Sequence, residues 1–479
     1  MKNTDEKIQL TNFLQLPYDI LEEMNTSASQ KRDTVSASEQ EKEYREYLTK
    51  ENRIKAITLC FTDIEGKFHM LDYDKKFLLD SSDNLTFDGS SIRGFTAQKE
   101  SDLRLSVDWT SLHHVPSDVF GAGKVIMFAN IMNRERGQYE SDFRGLLQAY
   151  TKELKAKQGI VAYAAPELEG FLLDGCNAEQ KFDELTGFGL VGMGGYYNAL
   201  PFDRLKTFID ASAEAQRALG FRNEKDHPEV APAQFEINFS YDEVLRTADR
   251  IQLYKLTCRQ IAASMGLTAS FLPKPVVGVN GSGMHTNFSL SKDGKNMFYD
   301  PKGQDGLSKQ AWNVISRVLN HAEDICLVLN PSVNAYRRLD PHFEAPNQIK
   351  VSPNDRGSMI RIPVANEKTA RIEVRSVAPD ANPYLVLYTL LKTAIEGDSQ
   401  EEMKRPREKY LPGNINDALT FFAKSNFIEK ILGAENKEKY LAFKKASADR
   451  CAKELGTKVK RSEVIFHHEV TNQVLWNSF

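Results

Sequence analysis

The sequence predicts an α+β protein: an N-terminal extension over 1–42, a small unit over 43–135 and one large domain over 136–479. Three observations carry this. A β-branched run, Ile54 to Phe61, follows a helical segment near the start. Beyond about residue 140, short strands recur between long helical stretches. No Gly-, Pro- or Ser-rich linker interrupts that later part, so it reads as one domain with strands and helices mixed in order.

Each element follows from local pattern. Leu10 to Met24 is amphipathic, whereas 26–42 is polar without periodicity and predicts a mobile link. Tyr44 to Glu51 predicts a helix, Ile54 to Phe61 a strand ending before the turn residue Gly66, and Phe68 to Tyr73 a second strand. A Ser/Asp/Asn loop at 81–84 and the Gly-flanked stretch Phe87 to Phe95 lead to the strand Val125 to Ile131, after which the boundary falls. Strands are then predicted at Ile160 to Tyr163, Gly170 to Leu173, Phe235 to Phe239, Thr286 to Leu290 and Arg371 to Val374. Long helices are predicted at Ser141 to Gln158, Tyr241 to Met265, Ser308 to Val328 and Pro383 to Glu396, with a helical portion from Asn414 to Leu455.

Composition narrows the function. The 62 basic and 66 acidic side chains of this 479-residue chain leave a net charge of −4, so no global positive field exists to hold a nucleic acid. The longest apolar run, Val125 to Met132, falls far short of the about 20 residues that span a bilayer. Residues Met1 to Leu10 show no apolar signal segment, which makes the cytoplasm the expected location. The five cysteines are scattered without C-x-x-C spacing, as suits thiols in a reducing compartment.

The acids ask for cations. Glu167 and Glu169, two residues apart among apolar neighbours, leave the same face of a strand, and Glu229 and Glu236 repeat the theme in HPEVAPAQFEINF. A solvent-facing strand edge accounts for the first pair equally well. If buried, such carboxylates are costly unless paired or bound to a metal, and hard oxygen ligands suit Mg²⁺ or Mn²⁺. Arg337, Arg338, Arg356, Arg361, Arg371 and Arg375 fall close together, as polyphosphate beside a substrate carboxylate requires; Arg371 to Arg375 also fits a salt-bridged outer strand. No P-loop or kinase signature is present. Asn280 to His285 is a Gly-rich turn delivering a histidine to a strand, either as a satisfied core residue or as a ligand.

Taken in order, FDGSSIRGF, PELEGFLLD, HPEVAPAQFEINF, NGSGMHTNFSL, NAYRRLDPHFEAP, SMIRIP and ARIEVRSVAPDANPYL resemble the motifs of type I glutamine synthetases, over roughly residues 43–400. The resemblance implies a β-grasp N-terminal domain, a large domain with an antiparallel sheet flanked by helices, and a homododecamer of two hexameric rings with active sites between subunits. It implies ATP-dependent ligation of ammonia to the γ-carboxylate of L-glutamate through γ-glutamyl phosphate, with two to three Mg²⁺ or Mn²⁺ ions. Glu169, Glu229 and Glu236 would hold one ion; Glu167, His285 and Glu373 would hold a second. Glutamate would be bound through Asn280, Gly281 and Arg338, and Arg375, Arg356 and Arg361 would serve the phosphoryl group. Ser289, Lys368, Arg371 and Tyr241 match positions beside the nucleotide base and sugar. Asp88, from the adjacent subunit, would deprotonate ammonium in a pocket completed by Ser91, Tyr196 and Glu229, and Glu344 would close over the intermediate.

The chain departs from the family at both ends: the first 40 or so residues are extra and the segment after Leu411 matches weakly. Tyr410 lacks the pattern of an adenylylated tyrosine. Two rivals share the motifs: a γ-glutamyl-amine ligase taking a polyamine or ethanolamine, and a catalytically silent regulatory member. The presence of Asp88 and Tyr196 argues against the first, and the complete metal set against the second.

Overall fold

In the computed structural model the described residues are 13–96, 101–181, 187–199, 203–340, 343, 345–399 and 408–454. The first unit opens with helices α1 (Tyr18–Thr34) and α2 (Ala37–Lys50), then β1 (Ala56–Thr62), β2 (Phe68–Asp74), α3 (Lys75–Ser81), β3 (Leu85–Asp88), β4 (Asp102–Val107), β5 (His113–His114), the one-turn α4 (Ser117–Phe120) and β6 (Lys124–Met132). Its sheet runs β2-β1-β6-β4-β3, with β5 on β6. Only the central β1·β6 pair is parallel.

That central pair explains the unbroken apolar runs in the sequence. Ile57, Leu59 and Phe61 of β1, with Val125, Met127 and Ala129 of β6, point into the small unit's own core. Cys60, Ile126 and Phe128, on the other face, pack into the core of the large domain. A strand buried on both faces has no polar side to show, and each fully buried aliphatic or aromatic side chain stabilises the fold by about 1.5–3 kcal/mol. Arg144, 2% exposed, crosses this junction and pairs with Asp108 at 2.8 Å and Asp249 at 2.9 Å.

The polar stretch 26–42 is helical, not a mobile link. Ser36 caps α2, its hydroxyl accepting from the Glu39 amide at 3.3 Å, a serine N-cap that the lack of periodicity hid. Between Leu21 and Ala28 on the inward face of α1, Asn25 works as a bridge: its Nδ2 donates to the carbonyls of His114 (2.7 Å) and Ala218 (2.8 Å), and its Oδ1 accepts from the His114 amide (2.9 Å). The extension therefore ties the small sheet to the large domain.

The large domain continues with α5 (Phe143–Gln158), β7 (Ile160–Asp174), α6 (Arg204–Ala218), β8 (Asn223–Pro228), β9 (Gln234–Phe239), β10 (Asp242–Glu243), α7 (Val244–Ser264), β11 (Leu267–Ser270), β12 (Met284–Lys292) and β13 (Lys295–Asn296). It then runs through α8 (Lys309–Asn320), α9 (Ala322–Leu329), α10 (Val333–Arg338), β14 (Gln348–Ser352), β15 (Ser358–Arg361), β16 (Ile372–Val374), α11 (Pro383–Glu396), α12 (Ile415–Lys424), α13 (Asn426–Leu432) and α14 (Ala434–Glu454). The sheet order is β14-β15-β16-β12-β7-β9-β8, antiparallel apart from β14·β15.

Two local expectations change. The strands expected at 160–163 and 170–173 are one 15-residue strand, β7, which carries Pro166 opposite Thr286 of β12. The helix expected over 308–328 is split at His321, whose Nδ1 bonds to Asp324 at 2.9 Å and whose Nε2 accepts from the Asp398 amide at 3.0 Å. Among the described residues no helix is long and apolar enough to cross a membrane.

Candidate active site

Strand β7 is the spine of the site. Its period of two places Glu167 and Glu169 on one face, and antiparallel register sets His285 of β12 opposite Glu167 and Glu236 of β9 opposite Glu169. Glu373 of β16 lies opposite Asn287 of β12. The carboxylates are therefore not on a solvent-facing edge: Glu169 is 7%, Glu236 5% and Glu373 0% exposed.

These side chains line a cavity of about 260 Å³. It also takes in Glu229, Arg338, Arg356, Arg361 and Arg375, with Asn280, Gly281 and Tyr196 at its wall. His285 Nδ1 is 3.5 Å from Glu167 Oε2 and 3.7 Å from Glu373 Oε1, while Arg338 Nη2 donates to Nε2 at 3.2 Å. That contact leaves Nδ1 facing the two acids. Glu373 also pairs with Arg361 at 2.5 Å and Arg375 at 3.5 Å. Gly283 permits the crowding: a Cβ there would meet Arg338 Nη2 at 2.5 Å and His285 Nε2 at 2.8 Å.

Protonation follows burial and company. Burial raises Glu169 well above the usual carboxylate range, and the charges of Glu236 and Glu229 push the same way. Glu229 is pushed up to about 8 by burial and by the hydrogen bond and charge it shares with Glu236. For Glu167, burial is outweighed by His285, Asn287 and Arg361, which bring it down to about 2. Burial, helped by the charges of Arg375 and Arg338, holds His285 down to about 4, although its contact with Glu167 pulls upward.

Acids that repel one another in a buried cleft fit a divalent cation. Two groups offer ligand atoms within 4.8 Å of one another: Glu167, His285 and Glu373, and His227, Glu229 and Glu236. Glu373 Oε1 and His227 Nε2 are both buried without a hydrogen-bond partner, as free ligand positions would be. The donor set, five carboxylates and two imidazoles when Glu169 is included, suits Mg²⁺ or Mn²⁺.

The first group is the one read from the sequence. The second gains His227, which sequence reading passed over although it sits two residues before Glu229. Glu169 stands beside this group, with its Oε2 held by Gln234 Nε2 and the Gly283 amide, both at 3.0 Å. Gln234 was not anticipated either.

A second cavity, about 280 Å³, holds Ser289, Lys368, Arg371 and Tyr241 together, the four residues matched to a nucleotide base and sugar. Glu167 and Lys225 line both cavities, so the two are contiguous. Asn287 links them: its Nδ2 donates to Glu167 Oε1 at 3.1 Å and its Oδ1 accepts from Arg371 Nε at 2.8 Å. Asp88 and Ser91 line neither cavity of this chain. They sit at the end of β3, where Ser91 Oγ donates to Asp88 Oδ2 at 2.6 Å. Glu344 lies outside the described residues; its neighbours Phe343 and Ala345 line the first cavity.

Residues 53–134 match the family model of the glutamine synthetase beta-Grasp domain, and residues 140–462 that of the glutamine synthetase catalytic domain. A glutamine synthetase of Thermotoga maritima is 34% identical over 436 residues, 87% of this chain and 97% of that protein. One from Methanosarcina mazei is 35% identical over 418 residues, 84% of this chain and 92% of its own. Among solved structures, the cryo-EM structure of Plasmodium falciparum glutamine synthetase superposes with a TM-score of 0.79 at 21% identity, covering 88% of this chain and 98% of the other. A structure of apo GmaS gives 0.74 at 25% identity, covering 87% and 98%. With both domain models matched across the acid-lined sheet described above, the chain belongs to the glutamine synthetase family.

Proposed function

We propose that this chain ligates ammonia to the γ-carboxylate of L-glutamate, using ATP and passing through γ-glutamyl phosphate. The observation that carries the reading is the pair of contiguous cavities, one rich in carboxylates, histidines and arginines, the other lined by Tyr241, Ser289, Lys368 and Arg371. An oxygen of the γ-carboxylate attacks the γ-phosphorus of ATP and ADP leaves. Ammonia nitrogen then attacks the acyl carbon, and phosphate leaves as the amide forms.

Glu167, His285 and Glu373, and the group His227, Glu229 and Glu236 with Glu169 beside it, are the residues that would hold two to three Mg²⁺ or Mn²⁺ ions. Such ions, when bound, offset charge on the phosphate oxygens and polarise the transferring group. Arg338, with Asn280 and Gly281, binds glutamate. Arg356, Arg361 and Arg375 face the phosphoryl oxygens, where guanidinium forks stabilise spreading negative charge. Arg361 and Arg375 are positioned for this by Glu373. Tyr196 borders the space left for ammonium, and Glu344 is assigned, on the family resemblance, the role of closing it against water.

Asp88 and Ser91 complete the ammonium pocket from a neighbouring copy. That neither residue lines a cavity of its own chain supports a shared site in a ring assembly, and the dodecamer of two hexamers and the cytoplasmic location are assigned on the family resemblance. The test is phosphate release from ATP with Mg²⁺ and glutamate, comparing ammonium with putrescine and ethanolamine and assaying glutamine. Turnover with ammonium that Asp88→Ala and Glu344→Ala remove supports the reading. Turnover confined to an amine makes the protein a γ-glutamyl-amine ligase, and none with any acceptor makes it a silent member.

A further inference from the structure

A third cavity, about 170 Å³, lies away from the catalytic cleft, between the β1–β2 hairpin and helix α7. Lys255 and Arg259, one turn apart on α7, both line it. Their spacing puts them on the same helix face. Both also approach one aromatic ring, Lys255 Nζ at 5.9 Å and Arg259 Cζ at 5.5 Å from the centroid of Phe271. Two cations over one ring repel each other, and the ring quadrupole offsets little of that.

Among the described residues, neither cation has a carboxylate within ion-pair distance. Of the two acids on the cavity wall, Asp380 acts on Lys255 through its charge alone, from beyond ion-pair distance. Glu65 is committed to Lys444 at 3.0 Å and to Arg93 at 3.4 Å. Asp380 accepts from Ser332 Oγ through Oδ2 at 2.6 Å, while its Oδ1 is buried with no hydrogen bond. Lys255 itself is only 8% exposed. Burial, together with the charge of Arg259, pushes its ammonium down to about 7 against the upward pull of the Asp380 charge. A buried cation normally has a partner, because desolvation of an unpaired charge is costly.

The walls also suit a ligand. Phe68, Met70, Leu256 and Phe271 give apolar sides, and Gln252 fixes the hairpin by donating to the Gly66 carbonyl at 3.0 Å and to Thr62 Oγ1 at 3.1 Å. The cavity thus has a firm floor and two acceptor-seeking cations.

We propose that this cavity is a binding site for a small oxyanion, a phosphate or hydroxycarboxylate, whose oxygens bridge Lys255 and Arg259. Its occupancy would be felt in the catalytic cleft through Asp380, because Ser332 caps α10 and that helix ends at Arg338. The site is separate from the glutamate and nucleotide cavities and does not depend on the reaction assigned to them.

The test uses the full chain. Amine-reactive labelling, mapped by peptide mass spectrometry, reads Lys255 with inorganic phosphate, with glycolate and with neither, taking the exposed Lys50 as reference. Protection of Lys255 and not of Lys50, at least about threefold, is expected with at least one of the two anions. Protection by phosphate alone identifies a phosphate site, and protection by glycolate alone a hydroxycarboxylate site. Calorimetric titration of the protecting anion into Lys255→Met and, should that variant not fold, into the more exposed Arg259→Met, is expected to show Kd weakened at least about tenfold. Equal labelling of Lys255 under all three conditions overturns the proposal, and so does an unchanged isotherm in a folded variant.

Discussion

Glu169 on β7 stands directly opposite Glu236 on β9, two buried acids paired across a sheet where a neutral or opposite-charge pair would be the stable choice. The arrangement favours ion binding over the stability of the empty fold. Glu236→Gln is therefore expected to stabilise the metal-free protein by on the order of 1 kcal/mol while weakening Mg²⁺ or Mn²⁺ binding by at least about tenfold. Melting in chelator and calorimetric titration of Mn²⁺ measure the two effects separately. A variant that melts lower in chelator contradicts the account.

Asn287 holds Glu167 with its amide nitrogen and Arg371 with its amide oxygen, so it couples an acid of the first cavity to a cation of the second. Asn287→Ala frees both. The KM for ATP is expected to rise about 5–10-fold while that for glutamate moves less than about twofold, since each lost hydrogen bond to a charged group costs roughly 1.5–3 kcal/mol and part is recovered by water. Steady-state kinetics with each substrate varied in turn decide it.

The N-terminal extension is a structural tie. Asn25→Ala removes three buried hydrogen bonds between α1, the strand at His114 and the end of α6, and leaves three backbone groups unpaired. A loss of about 2–4 kcal/mol is expected. Urea unfolding is the measurement, and α1 should become sensitive to proteolysis before the rest of the chain.

Acid should weaken the same junction. His113 and His114 are buried as neutral rings: burial, then the Arg32 charge, holds His113 down to about 3, and burial holds His114 down to about 4. Their folded values lie below the unfolded value near 6.5, so the unfolded chain takes up protons first as pH falls. The stability they contribute is complete above about pH 6.5 and is lost as pH drops toward 4, by on the order of 1 kcal/mol per histidine per pH unit. In His114→Gln the slope of stability between pH 6 and pH 4 should be shallower than in the natural chain. Denaturant unfolding across that range shows it, and an unchanged slope rules the mechanism out.

Much of the site was legible because its residues are close in sequence or lie in strands. The period of two in β7 is visible as Glu167-Leu168-Glu169, and acids flanked by Val230, Phe235, Ile237 and Phe239 announce burial without any structure. The double-sided burial of β1 and β6 is likewise written in their continuous apolar runs. The N-cap Ser36 was also present in the letters, but a helix with so little apolar periodicity does not declare itself.

What the sequence by itself determined is the chemistry available: which strands carry acids on one face, which segment concentrates guanidinium groups, and which turn needs glycine beside a histidine. Only the tertiary structure decided the partners. His227 joins Glu229 and Glu236 because β8 and β9 turn back on each other, Arg361 reaches Glu373 from the neighbouring strand β15, and Asn25 spans two domains far apart in the chain. Local pattern follows from propensity and periodicity, which act over a few residues. The pairing of distant side chains depends on strand register and domain docking, and these are set by the packing of the whole chain.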